Sequence, residues 1–249
     1  VMYSGLGMGT AVSYDRIGEV YYGEGEYQGA LEYYEKCRDA RLAIVALDPS
    51  NLPRQRDLGV AYEKVALTLA AMGEADKALE VHKTVLELRR QTAAADPTVA
   101  QYSRDVTFTL LQMAEVLRGK GDQAGALPLM AEAVSLREAI LQAAPDDFDT
   151  LRDTTIAQNQ YVAALMETGD YATAVPVGQA SVAVVERMLA QRPNDKETLR
   201  DKVVAANRLG DALKGAGDLE GALAAFQAMG AAGYALVSAD PYDTGLAVD

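Results

Sequence analysis

One short phrase recurs in this chain at a fixed interval of 48 residues. It reads GEYQGAL at 25–31 and GDLEGAL at 217–223, and close variants occur three more times. The glycine that opens the phrase stands at five positions, which are Gly25, Gly73, Gly121, Gly169 and Gly217. A fixed period of about 20 to 50 residues is typical of arrays of stacked structural repeats, so the chain is predicted to be such an array.

Two further markers share this period. A proline stands at the equivalent place of each repeat, and an Arg-Asp pair stands at the equivalent place of four. The prolines are Pro49, Pro97, Pro145, Pro193 and Pro241, and the Arg-Asp pairs occupy 56–57, 104–105, 152–153 and 200–201. Three independent markers at one spacing make a chance similarity between the five segments untenable.

Within one repeat the apolar residues have helical spacing. Tyr62, Val65 and Leu69 form one stripe of a helix, which Gly73 is expected to end in the left-handed conformation that glycine adopts most easily. The acidic residue that follows the glycine is expected where a second helix begins, and the proline lies just beyond that helix. Each repeat is therefore predicted to be a helical hairpin, and the residues after the prolines are predicted N-caps: Ser50/Asn51, Thr98, Asp146/Asp147 and Asn194/Asp195.

The segment LGDALKGAGDLEGALAAF at 209–226 resembles the tetratricopeptide repeat (TPR). The Leu-Gly, Gly-Asp, Ala and aromatic positions of that family match Leu209, Gly210, Gly217, Asp218, Ala222 and Phe226, whereas its large first position is Ala206 here. The resemblance implies an all-α fold, a right-handed superhelix (TPR-like solenoid) of about five antiparallel helical hairpins. The usual repeat has about 34 residues, so the hairpins here should be longer and the concave wall deeper.

The array is predicted to be a single domain over residues 11–249. Its repeats are placed at 11–58, 59–106, 107–154, 155–202 and 203–249, and residues 1–10 are predicted to be an irregular start or a tag remnant. Residues 242–249 are interpreted as the start of a sixth first helix, and the first residues suggest a chain cut from a longer one. Gly230 and Gly233 should weaken the last second helix.

Composition narrows the range of functions. The formal net charge of −13 gives no basic footprint for nucleic acid. The single cysteine excludes an intrachain disulfide and a cysteine-cluster zinc site, which suits a cytoplasmic location. There is no run of about 18 apolar residues, so no membrane insertion is expected. No catalytic set, metal site or cofactor motif is apparent, and the chain is not predicted to be an enzyme.

The lone His82 and Cys37 align with apolar or small residues of the other repeats and are interpreted as core positions. The segment GLGMG at 5–9 lacks the Lys-Ser/Thr ending and the preceding strand of a phosphate loop, and is interpreted as part of the irregular start.

The Arg-Asp pairs allow two interpretations. The four arginines could form a ladder that grips an anionic ligand. Alternatively, each arginine could meet the aspartate of the next repeat in a charge ladder between repeats, each exposed pair contributing about 0–1 kcal/mol. The second interpretation is favoured because an aspartate beside every arginine neutralises it.

The resemblance further implies that the first helices line a groove for peptides or partner helices. Acidic residues outnumber basic ones there, and the lysine-rich clamp for acidic C-terminal peptides is absent, which favours a basic or amphipathic partner. The apolar row Val12, Val60, Phe108, Ile156 and Val204 is predicted to be core. The candidate peptide-binding residues are Asp15, Glu19, Tyr22, Glu63, Leu67, Leu111, Glu115, Arg118, Asn159, Met166, Asn207, Asp211 and Lys214.

The sequence thus favours a non-catalytic protein–protein interaction scaffold that binds a peptide or helix in an acidic concave groove. One alternative is that the acidic face of the first helices is simply solvated and binds no ligand. Two others are the regulatory arm of a larger enzyme (a kinase, a switch NTPase or a caspase-like protease) and a module that self-associates through open array ends.

Overall fold

The chain folds into α-helices connected by short turns in a computed structural model, which describes the backbone of residues 2–239 and the side chains of residues 7–238. No strand occurs within residues 2–239. The helices are α1 (Met2–Gly23), α2 (Tyr27–Leu47), α3 (Leu52–Ala71), α4 (Ala75–Ala95), α5 (Ala100–Gly119), α6 (Gln123–Ala143), α7 (Phe148–Thr168), α8 (Tyr171–Gln191), α9 (Lys196–Gly215) and α10 (Leu219–Ala239). The predicted all-α class and the helical hairpins are confirmed.

All five period-setting glycines have the same backbone conformation, with φ between +77° and +86°. After α3, the amide of Gly73 donates to the carbonyl of Ala70 at 3.0 Å, and the amide of Glu74 donates to the carbonyl of Leu69 at 2.9 Å. This paired bonding is the Schellman motif, which satisfies the last carbonyls of a helix. The glycine is needed because other residues are strained at positive φ.

The acidic residue after each glycine lies at the start of the next helix, as the sequence predicts. The carboxylate of Asp170 accepts a hydrogen bond from the amide of Thr173 at 3.1 Å, whereas the Glu26 and Glu74 side chains make no such bond. Of the caps predicted for first helices, Asn51, Asp147 and Asp195 are confirmed. Thr98 is wrong, because Val99 occupies the N-cap position of α5 and has no side chain able to accept a bond.

The chain divides into two compact units, Val1–Leu129 and Met130–Asp249. In the first, α1 packs on α2, α3 on α4, and the second helices α2 and α4 pack on the next first helices, α3 and α5. In the second, α7 packs on α8, α8 on α9 and α9 on α10, and the first helices α7 and α9 also meet. Each unit is thus built from hairpins stacked in chain order. The continuity of one array over residues 11–249 stays a prediction.

The predicted repeat boundaries need correction. The boundaries at 58/59, 106/107, 154/155 and 202/203 fall inside first helices, because these helices begin at Leu52, Ala100, Phe148 and Lys196. The predicted irregular start is also wrong for residues 2–10, which form the first turns of α1. They match the repeat poorly in sequence because Met8 and Gly9 stand where the other repeats carry Arg-Asp. Residues 242–249, predicted to begin a sixth first helix, lie outside the described residues.

The packed interior consists mainly of small and aliphatic side chains between adjacent hairpins. One cluster joins Ala30 and Tyr34 of α2 to Val65 and Leu69 of α3, and includes Ala78 of α4. In the second unit, Leu209 and Leu213 of α9 pack with Ala222 and Ala225 of α10, with Val175 of α8 packed against them. The same repeat positions therefore form the core in both units.

The segment Leu219–Ser238 of α10 has the length and a mean hydropathy of 1.2 that would allow a helix to cross a membrane. One helix that meets this criterion is weak support for a span, because core helices of soluble proteins also meet it. The sequence prediction of no membrane insertion stays a prediction.

Candidate binding face on the first helices

In each unit, the first helices carry an apolar residue at one repeat position that is largely exposed. At the position predicted to be core, Val12, Phe108, Ile156 and Val204 are 38–51% exposed, and Val60 is half-buried. The prediction that this row is core is wrong. The residues on either side explain the error, because Thr107 and Thr109 flank Phe108 and are both fully buried.

The same pattern surrounds Ile156, since Thr155 and Ala157 are fully buried on either side of it. Adjacent helix positions are rotated by about 100°, so packing on both sides leaves a strip about one side chain wide. Single exposed apolar residues are ordinary, but an apolar residue at the equivalent position of successive repeats is not explained by packing. We call this row, with residues 12, 60 and 108 in the first unit and residues 156 and 204 in the second, the apolar strip.

The carboxylates beside the strip in the first unit are largely paired. Lys64 of α3 donates to Asp15 of α1 at 2.6 Å and to Glu19 of α1 at 2.9 Å. The hydrogen bonds from Lys64 and then from Arg16 lower the pKa of Glu19. The expected acidic wall is therefore neutralised at α1 by a cation from the neighbouring repeat, which the count of charges on groove positions alone missed.

Glu63 of α3 is even less available to a ligand. Its carboxylate is paired with the guanidinium of Arg89 on α4, whose side chain is buried. Arg89 also donates to Thr109 Oγ1 at 2.7 Å and to the carbonyl oxygen of Asp105 at 3.0 Å. Burial raises the pKa of Glu63, and the attraction of Arg89 offsets only part of that effect. Glu63 is a structural ion-pair partner, and its expected role as a groove acid is not supported by this geometry.

The remaining candidates in the first unit vary in exposure. Tyr22 is exposed at the end of α1, with its ring edge-on to Tyr27 at 5.3 Å between centroids. Glu115 pairs with Arg118 on the same helix at 3.2 Å. Leu67 and Leu111 are half-buried. A shallow cavity of about 480 Å³ opens between the ends of α3 and α5, lined by Ala70, Gly73, Ala75, Gln112, Glu115, Val116, Gly119 and Lys120.

In the second unit, Asn159 has an internal role. It is buried, its side-chain oxygen accepts from Ser181 Oγ at 2.9 Å, and its backbone carbonyl accepts from Arg208 of α9. This correction could not come from repeat alignment, since the partner Ser181 lies on α8. Asn207 and Lys214 are exposed, while Asp211 and Met166 are half-buried.

Two of the Arg-Asp pairs make the predicted contacts between repeats. Arg56 Nε lies 2.6 Å from Asp105 Oδ2, and Arg152 Nε lies 3.7 Å from Asp201 Oδ2, with each aspartate one repeat further on. Arg152 also pairs with Glu197 at 2.5 Å. These arginines are engaged within the fold, so the alternative of an anion-gripping ladder is not favoured.

A second arginine series was missed. Arg41, Arg89 and Arg137 occupy one position of α2, α4 and α6 and also recur every 48 residues. Arg41 contacts Asp57 at 3.0 Å and Arg137 contacts Asp153 at 2.6 Å, so the aspartates of the pairs are also bound by arginines of the preceding second helix. The 48-residue spacing of these three arginines is visible in the sequence and could have identified them as a second set of contacts between repeats.

Both residues predicted as core are buried. Cys37 lies in a cluster with Ala11 and Ala61. His82 is fully buried, and neither ring nitrogen has a hydrogen-bond partner. Burial, with a smaller contribution from Arg89, lowers the pKa of His82 from 6.5 to about 4. Within the described residues, no group of three or more His, Cys, Asp or Glu side chains could hold a metal ion.

Comparison with known proteins agrees with this architecture. The family model of the tetratricopeptide repeat matches residues 10–45 and 109–149. These segments cover most of the α1–α2 hairpin and the stretch from α5 through α6, with the turn glycines Gly25 and Gly121 inside them. These two segments of the chain are similar to the tetratricopeptide repeat.

Solved structures of TPR proteins share the fold of this one. A Podosopora anserina structure, described as kinesin light chain nearly identical TPR-like repeats, superposes with a TM-score of 0.63 at 17% identity. The match covers 93% of this chain and 96% of that chain. BtubC (BKLC) from P. vanneervenii gives a TM-score of 0.50 at 18% identity, covering 92% of each chain. No curated protein matches the sequence. At these identities the likeness establishes the TPR-like fold of this chain.

Proposed function

We propose that this protein is a non-catalytic interaction module that binds an amphipathic segment of a partner protein along the apolar strip. The carrying observation is that Phe108 and Ile156 stay exposed between buried neighbours, and that Val12 and Val204 are exposed at the equivalent positions. Helices and extended peptides bind such surfaces by inserting a few apolar side chains. The proposal applies to the face of each unit separately.

The chemistry of the partner follows from what surrounds the strip. In the first unit the acids Asp15 and Glu19 are neutralised by Lys64, and Glu63 is occupied by Arg89. Apolar contact therefore contributes most of the affinity, and charge contributes less than a wall of unpaired acidic side chains would. A weak preference for basic flanking residues is still expected, because Glu115 is exposed and Asp211 is half-buried.

The test compares strip variants with a matched surface variant. Phe108→Ser changes the strip in the first unit, and Ile156→Ser changes it in the second. Leu42→Ser on α2 removes an apolar side chain that is 46% exposed on a second helix. Binding is measured by fluorescence anisotropy on a library of helical peptides that carry one apolar stripe with basic, neutral or acidic flanks.

We expect a subset of apolar-striped peptides to bind the parent chain and the Leu42→Ser variant equally. Phe108→Ser or Ile156→Ser should weaken that binding by about tenfold, the effect of about 1.4 kcal/mol. Equal binding by all four proteins would refute the strip as the site. Loss of binding upon swapping the flanking charge, with no effect of Phe108→Ser, would instead favour the acidic-groove interpretation.

A further inference from the structure

The exposed face of α1 has the same residue pattern as the first helices that pack against the preceding repeat inside the fold. We call this contact between successive repeats the joint. Ile17 and Tyr21 are 38% and 39% exposed. One repeat later the equivalent residues are Val65 and Leu69 of α3, and both are buried against α2. Four repeats later they are Leu209 and Leu213 of α9, which are buried, with Val175 of α8 packed on them. Positions covered by a preceding second helix elsewhere in the fold are thus open on α1.

The exposed face of α10 is the other half of that joint. Leu223 is 59% exposed, although the equivalent Val175 packs against the cluster that contains Leu209 and Leu213 of the next first helix. Leu219 is 70% exposed, whereas the equivalent Tyr171 lies against Gly215 of α9 so closely that a Cβ there would collide with the ring. The residue of α1 equivalent to Gly215 is Gly23, which has nothing within 4 Å of a Cβ position.

The charges on the two ends are also complementary. In the first unit, Lys64 of α3 reaches back to Asp15 and Glu19 of the preceding first helix. In the second unit, Arg208 at the equivalent position reaches back to the carbonyl of Asn159. The equivalent cation on α1 is Arg16, and the equivalents of Asp15 and Glu19 on α9 are Asn207 and Asp211. A repeat joint made between two chains would therefore place Arg16 opposite Asp211.

We propose that the chain binds a second copy of itself head to tail, with α9 and α10 of one copy receiving α1 of the next. Leu223 then packs on Ile17 and Tyr21, Leu219 covers Gly23, and Arg16 pairs with Asp211. Arg16 now bonds Glu19 at 2.8 Å, with the arginine side chain 75% exposed. Such an exposed pair three residues apart contributes little, so it can be exchanged for the contact between copies.

This contact is heterologous, since the two copies use different surfaces. A bound pair still has one open α1 face and one open α10 face, so association continues into chains unless the rotation closes a ring. The proposal is separate from partner binding on the apolar strip, because no strip residue lies in the joint, although Asp211 of α9 is near both.

The experiment is sedimentation velocity of the 249-residue chain from about 1 µM to about 1 mM, a range that brackets weak interfaces. We expect the mass to increase with concentration beyond that of a dimer. Leu223→Asp should raise the concentration at which half of the protein is associated by about tenfold or more. Leu47→Asp on α2 removes a side chain that is 69% exposed outside the joint, and it should leave the dependence unchanged.

Charge exchange gives the decisive readout. Arg16→Glu and Asp211→Arg should each weaken association by roughly fivefold, in the range of exposed ion pairs and their reversal. An equimolar mixture of the two variants should recover association, because every contact in an alternating chain then joins opposite charges. The Arg16→Glu/Asp211→Arg double variant should recover it as well, and circular dichroism checks that each variant is folded.

A concentration-independent monomer mass would overturn the proposal. So would association that is insensitive to Leu223→Asp or that is not recovered in the mixture. A monomer that co-sediments with phosphatidylcholine vesicles through Leu219 and Leu223 would assign the α10 face to a lipid surface instead, and would also overturn the proposal. None of these outcomes bears on peptide binding by Phe108, which is read out separately.

Discussion

Arg56 of α3 donates from Nε to Oδ2 of Asp105 on α5 at 2.6 Å, linking first helices of successive repeats. The Arg56 side chain is 37% exposed. The buried Arg89 of α4 binds the same region from the other side through the Asp105 carbonyl and Glu63. Two arginines of different depth thus join the same two repeats, and their removal should have very different costs.

Replacing Arg89 by Met should destabilise the protein by about 3–5 kcal/mol, because it leaves the half-buried Glu63 carboxylate without its partner. Arg56→Met, the matched surface variant, should cost about 0–1 kcal/mol. Urea unfolding followed by circular dichroism measures both. Adding Glu63→Gln to Arg89→Met should recover part of the loss, since the uncompensated charge is removed. Equal costs for the two arginines would contradict the difference in burial.

His82 should make stability depend on pH. Its folded pKa is about 4, below the usual 6.5, so the unfolded chain binds more protons between these values. Stability should therefore be unaffected above about pH 6.5 and should fall as the pH is lowered toward 4, by up to about 3 kcal/mol. His82→Met copies Met130, the equivalent residue of the third repeat. Urea unfolding at pH 7 and pH 4.5 should show a smaller loss for this variant, and an identical loss would exclude the histidine as its cause.

Gly73→Ala and Gly230→Ala should have opposite effects. Gly73 has φ of +80°, a conformation that costs other residues about 1–2 kcal/mol. Gly230 lies inside α10 with nothing within 4 Å of a Cβ, so alanine there should stabilise by about 0.5–1 kcal/mol. Thermal unfolding of both variants tests the assignment. Destabilisation by Gly230→Ala would show that α10 is not a continuous helix at this point.

Phe108→Ala and Leu110→Ala distinguish strip from core on a single helix. Phe108 is exposed and Leu110 is fully buried two positions further along α5. Leu110→Ala should cost about 2–5 kcal/mol, the usual range for a buried leucine. Phe108→Ala should cost less than about 1 kcal/mol, like most surface substitutions. If Phe108→Ala were the more damaging change, the original interpretation of the row as core would be restored.

The features that the sequence predicted correctly are the turns, most of the helix caps and the contacts between equivalent residues of successive repeats. Gly73 predicts a left-handed turn wherever it recurs, and the Arg-Asp pairs predict contacts between equivalent residues, such as Arg56 and Asp105. These inferences need only the period and the conformational preferences of single residues. The predicted caps Asn51, Asp147 and Asp195 are of the same local kind.

The parts that failed depend on the rotation of one helix against its neighbours. Phe108 looks like core because it is apolar and central in its helix. The rotation of α5 instead buries its neighbours Thr107 and Thr109 and leaves the Phe108 side chain exposed. Glu63 and Asn159 look like groove residues, but their partners, Arg89 and Ser181, lie on second helices. A periodicity within first helices cannot reveal such partners, although the 48-residue recurrence of Arg41, Arg89 and Arg137 offered part of the answer.

The width of the apolar strip has a consequence for how this surface can change over generations. Because each helix contributes one side chain to the strip, and the neighbours of Phe108 and Ile156 carry the packing, substitutions at 12, 60, 108, 156 and 204 can alter recognition with little effect on folding. Selection can thus tune what the surface recognises independently of what keeps the chain folded. The same separation makes these five sites natural choices for a combinatorial library on this scaffold.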